Sequence, residues 1–139
     1  MAQSTSTLRP SHVAGFALAG IMAVLQGVNA LRTALDPQGF ATYMGLPVDA
    51  LDALGWVQVY GLRAGFVAVL AAILLLRRDF AALRWMAVAA LVMPLGDAWL
   101  ASEAGAPTAI VARHLGIAVF LVIAALVLAR AARRPGELP

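Results

Sequence analysis

Leu83 to Ala101 reads "LRWMAVAALVMPLGDAWLA". After Arg84 it carries no charge until Asp97, and it has neither the alternation of a half-buried strand nor the polar stripe of a water-facing helix. A run of this length spans the hydrocarbon of a bilayer as a helix, because about 20 apolar residues rising 1.5 Å each cover about 30 Å. Within lipid every backbone N–H and C=O must be satisfied inside the segment, which a helix does and an isolated strand does not. The chain therefore reads as a membrane protein, and the aspartate becomes the residue to explain.

The rest of the chain agrees with that reading. Of 139 residues, 63% are hydrophobic and 12% are charged, whereas soluble domains carry about 25% charged residues. Three further windows match the first: Val13–Leu31, Trp56–Leu76 and Ala109–Ala129. With the span at 80–101 they predict an all-α membrane protein, an antiparallel four-transmembrane-helix bundle with both termini cytoplasmic, forming a single membrane domain over residues 1–139. The loop 32–55 lies outside the cytoplasm in this reading. Pro37 and Gly39 mark a turn in it, and Pro47 with Asp49 and Asp52 starts a short interfacial helix over about 47–55. The connection "RRDF" at 77–80 is short enough to make the helices on either side antiparallel neighbours.

Orientation follows from arginine, since there is no lysine. Arg9, Arg77, Arg78, Arg84, Arg130, Arg133 and Arg134 fall on the side of the termini, and Arg32 and Arg113 on the other. Positive charge marks the cytoplasmic side. The expected location is a bacterial inner membrane, crossed several times, with the lipid bilayer as the main partner and a homo-oligomer as a further possibility. The basic balance sits at span ends rather than in a stripe with interleaved aromatics, so no nucleic-acid partner is expected. There is no cysteine, and no HExxH, CxxC or glycine-rich phosphate loop, so no cofactor and no metal site are expected.

Polar residues inside the spans concentrate at one depth. Asp97 lies roughly 6 Å from the outer end of its helix, His114 is about five residues into the fourth span, and Arg63 lies roughly 10 Å beyond Trp56. Gln26 and Asn29 approach the outer end of the first span. The inner halves, such as "VAVLAAILLL" and "FLVIAALVL", contain no polar residue. At 100° per residue, Met22, Gln26, Asn29 and Thr33 share a face; Asp97 shares one with Met86, Ala90 and Met93; Arg63 lies alongside Trp56, Val59, Tyr60 and Phe66. Pro94 removes a backbone bond to Ala90 and predicts a kink before Asp97. Arg113 reads as an interfacial residue.

A charge near the centre of a spanning helix costs about 2.5–3.5 kcal/mol on insertion scales. An acid, a guanidinium and an imidazole at one depth are therefore expected to meet, with Asp97 contacting Arg63, His114 or both. These three are the candidate catalytic residues; Gln26, Asn29, Tyr60, Trp56 and Met93 are the candidate ligand-binding residues. Three functions stay open: acid/base chemistry of isomerase, cyclase or hydrolase type on a lipophilic small molecule; ligand binding or transport without chemistry; and a structural lock between helices.

The segments "VYGLRAGFVAVL", "MPLGDAWL" and "ARHLGIAVF" on four short spans resemble a family of small bacterial and fungal integral membrane proteins, the domain of unknown function 4267. The resemblance covers residues 12 to 130 and rests on Arg63, Asp97 and His114. It implies four membrane helices and no particular activity.

Overall fold

The computed structural model describes residues 10–50 and 53–133. Among these the structure is helical, with no strand. In chain order the helices are α1 (Pro10–Leu35), α2 (Pro37–Met44), α3 (Leu54–Leu76), α4 (Phe80–Ala90), α5 (Val92–Glu103) and α6 (Thr108–Ala132). Four spans are long and apolar enough to cross a membrane: α1, α3, α4 with α5, and α6.

The spans run antiparallel in a ring. α1 packs along α3, α4 and α5 pack on α6, and α6 closes back on α1. The described chain begins and ends at the same end, where His12 Nε2 donates to the Ala131 carbonyl at 3.2 Å. The α1–α3 crossing is closest at Gly61, where an added Cβ would sit 2.7 Å from Thr33 Cβ. Small residues continue that approach, Gly65 facing Ala30 and Gly27 facing Ala68. Lipid gives no hydrophobic drive between helices, so association depends on such close backbone contact. At the terminal end an alanine-rich core with Leu83 and Leu128 fully buried fills the bundle.

The third span is broken at Leu91, three residues before Pro94. Proline has no N–H to return to the Ala90 carbonyl, and the local ladder shifts to Leu91 N–H on Val88 O at 3.2 Å. α4 touches α3, but α5 leans on α6 and hardly meets α3. The two halves of this span therefore do different jobs, one closing the core and the other opening a space beside α3.

The long loop departs from its expected form. The short helix lies at Pro37–Met44, not at 47–55. Asp36 caps it, accepting from Gly39 N at 2.8 Å, with Pro37 at the first position. Gly45 ends it at φ 83°, and Leu46 N–H returns to Ala41 O at 3.0 Å. Residues 46–50 are not helical, Leu54 already begins α3, and 51 and 52 lie outside the described residues. The turn expected at Pro37 and Gly39 is the start of a helix, capped by Asp36 and followed by enough residues for two turns.

Trp56, Trp85 and Trp99 are all exposed. Trp85 and Trp99 are 14 residues apart on one span, ~21 Å of helix, which fits aromatic belts at the two faces of a bilayer.

Candidate functional site

The space between α5 and α3 is a cavity of about 260 Å³. Each span and α2 contribute to its wall. From α1 come Met22, Leu25, Gln26 and Asn29, on one helical face; from α3 come Tyr60 and Val67. The broken span supplies Met86, Ala90, Met93, Pro94 and Asp97, and α6 supplies Arg113, His114, Ile117, Phe120 and Leu121. Tyr43 and Met44 of α2 cover the end away from the termini. Most of the wall is apolar, and the ionisable groups collect under α2.

His114 is 2% exposed, and its Nε2 lies 3.2 Å from the Met44 carbonyl. A carbonyl only accepts, so Nε2 carries a proton; in the neutral ring that tautomer leaves Nδ1 as the lone pair. Arg113 is held on the same helix end: its Nη2 donates to the Tyr43 carbonyl, and its Cζ lies 3.6 Å from the Tyr43 ring centroid. The C-terminal carbonyls of α2 thus hold both side chains, in the sense expected of a helix's negative end. Arg32 stands 4.1 Å from the same ring, and Phe40 bridges Tyr43 and Tyr60 at 6.2 and 5.5 Å.

Two fully buried polar atoms in this wall have no hydrogen-bond partner among the described residues, Gln26 Oε1 and Arg113 Nε. Asp97 makes neither a hydrogen bond nor an ion pair with any described residue. No group of three or more His, Cys, Asp or Glu side chains suited to a metal ion occurs among the described residues.

A family model, Domain of unknown function (DUF4267), matches residues 14–128. The chain belongs to that family. No curated protein and no solved structure matches it.

Of the residues singled out in the sequence, Asp97, His114, Gln26, Asn29, Tyr60 and Met93 share the cavity wall. Arg63 and Trp56 do not. Arg63 is exposed on the outer surface of α3, and Trp56 is 74% exposed. The expected Asp97–Arg63 contact is absent among the described residues, and the guanidinium in the wall belongs to Arg113. The reason lies in α3, which is apolar nearly all round. Tyr60 and Val67 on one flank of Arg63 line the cavity, while Phe66 and Leu70 on the other flank face outward. A helical wheel centred on Arg63 could not tell which flank turns in. The expected interfacial place of Arg113 rests on its nearness to the start of α6, where arginine usually anchors. The signal that could have found it is adjacency: with His114 inside, residue 113 is only 100° away.

Proposed function

We propose that this multi-pass membrane protein takes a small, largely apolar molecule into the cavity and moves a proton on it with Asp97 and His114, in chemistry of the isomerase type. The carrying observation is that an acid and an imidazole line the same space, with no hydrogen bond from a described residue on Asp97 and with the imidazole held to Met44 through Nε2. A lock between helices needs those groups bonded to each other, and they are not. The size of the space fits: an engineered cavity of about 150 Å³ holds benzene, so one of about 260 Å³ suits roughly ten non-hydrogen atoms. The arginine bias supports placing the terminal end in the cytoplasm. That puts the cavity in the outer half of the membrane, and the composition is in keeping with a bacterial inner membrane.

The test uses para-nitrophenol with the protein in lipid nanodiscs, at a mildly acidic pH where the free probe is neutral. The expected result is an absorbance band of the ionised phenol for the wild type. That band is lost in the Asp97→Asn/His114→Gln double variant, and all binding is lost in Ala90→Phe, which fills the cavity. Binding with no ionised band would reject the acid/base part and leave a carrier or binding protein. No binding at all would reject the whole reading.

A further inference from the structure

The cavity contains one cation and one carboxylate in its described wall, Arg113 and Asp97, and they form no ion pair. An unpaired cation and carboxylate in one largely apolar wall say what kind of molecule belongs with them. Resting on the reading of the cavity as an acid/base site, we propose that the ligand is a neutral carbonyl compound. Its oxygen lies on the Arg113 guanidinium and its adjacent carbon faces Asp97 and His114.

Three observations lead there. First, Arg113 is fixed, stacked at 3.6 Å on Tyr43 with Nη2 committed to the Tyr43 carbonyl, yet it retains donors without acceptors, Nε among them. Nε itself is fully buried, so the N–H groups of the guanidinium that make no bond to a described residue are the ones an arriving acceptor oxygen meets. Arginine cannot lose its proton, so it acts only as donor and positive charge. Second, the same wall offers acceptors: Asp97, and Nδ1 of His114 in the neutral tautomer whose Nε2–H meets Met44. The site therefore offers both hydrogen-bond donation and proton removal. Third, Arg113 and Asp97 balance in charge. A carboxylate ligand would leave a net negative charge in a wall built of Met22, Met86, Met93, Leu121 and Phe120, which an apolar environment opposes. A neutral carbonyl adds none.

The chemistry balances without any further reagent. Asp97 or Nδ1 of His114 takes a proton from the carbon next to the carbonyl. The C–H electron pair becomes the C=C bond, and the carbonyl π pair moves to oxygen beside the guanidinium. Where the ligand carries a C=C bond one carbon further on, the anion is a dienolate, and return of the proton to its far carbon moves the double bond into conjugation with the carbonyl and completes an isomerisation. Arg113 stabilises charge that develops only during the reaction.

Three probes of equal size separate the alternatives in nanodiscs: acetophenone, isopropylbenzene and benzoate, each of about nine non-hydrogen atoms. Acetophenone labelled at the carbonyl carbon is followed by infrared spectroscopy. Wild-type protein is expected to add a second, lower-frequency carbonyl band to that of the ketone in lipid, and Arg113→Lys is expected to lose it. Asp97→Asn should keep the band but slow methyl hydrogen exchange in deuterated water, on the order of a hundredfold. Where Arg113→Lys does not fold, wild-type protein with isotope-labelled arginine gives the same answer: one guanidinium resonance moves with acetophenone and not with isopropylbenzene. If para-nitrophenol binds and ionises while acetophenone shows only its lipid band, the carbonyl assignment falls and the acid/base site stands. Benzoate binding more tightly than acetophenone overturns the neutral class. If none of the probes binds, both readings fall together.

Discussion

At the end where the described chain begins and ends, His12 stacks on Phe80 at 5.4 Å, Phe16 meets the same ring edge-on, and Leu83 and Leu128 are fully buried among alanines. At the other end the same four spans enclose about 260 Å³ of space walled by Asp97, His114, Arg113 and Tyr60 and covered by α2. One end is solid and the other hollow, although both are made of helices of similar composition. The difference arises at Leu91. Below it α4 holds the inner core, and above it α5 is released from the line of α4 and hardly contacts α3. Space in a membrane bundle is made here by where a helix is interrupted.

The strongest way to break this comparison is to push the α1–α3 pair apart. Gly61→Leu drives a side chain into buried Thr33; overpacking of this kind usually costs about 1–3 kcal/mol, and with no flexible neighbour to yield it should reach or exceed the top of that range. Loss of the cooperative thermal transition in nanodiscs checks it, and a near-normal melting temperature would mean the crossing is looser than described. Next comes Leu128→Ala at the solid end. It should destabilise by about 2 kcal/mol, at the low end of the range for soluble cores because lipid rather than water surrounds the separated helices. Denaturant unfolding in mixed micelles measures it, and the para-nitrophenol signal should survive.

The hollow end should behave in the opposite way. Asp97→Asn gives up no described protein hydrogen bond, so its stability should change by less than about 0.6 kcal/mol, the average for a polar contact between membrane helices. Its probe ionisation should still fall sharply. A large loss of stability with no loss of ionisation would turn the cluster back into a lock. The smallest effect is expected from Arg63→Gln. With the side chain on the outer surface, its probe titration should shift by less than about twofold, since it touches no cavity atom. A shift as large as that of Asp97→Asn would bring Arg63 inside.

Some of this was legible residue by residue. The length and apolarity of the four spans dictate helices, because lipid leaves the backbone no other partner. Pro94 announces the break near Leu91. Depth and helical phase brought Gln26, Asn29, Asp97 and His114 to one layer, since on α1 and on the broken span α4–α5 the polar residues lie on one side with Met22, Met86 and Met93. Phase failed on α3, where an apolar surface all round hides which flank turns inward. It failed also at α2, whose eight residues carry no span signal, and whose role is to offer the Tyr43 and Met44 carbonyls to α6.

The sequence by itself determined that the chain crosses a membrane four times as helices and at which depth its polar groups lie. Both follow from the energy of unpaired backbone in lipid and from a fixed rise per residue. Only the tertiary structure decided which arginine enters the wall, which nitrogen of His114 meets the Met44 carbonyl, and that Asp97 lines a space without a bond to its neighbours. Those depend on helix rotation and on contacts made across about 70 residues of chain, which no local pattern encodes.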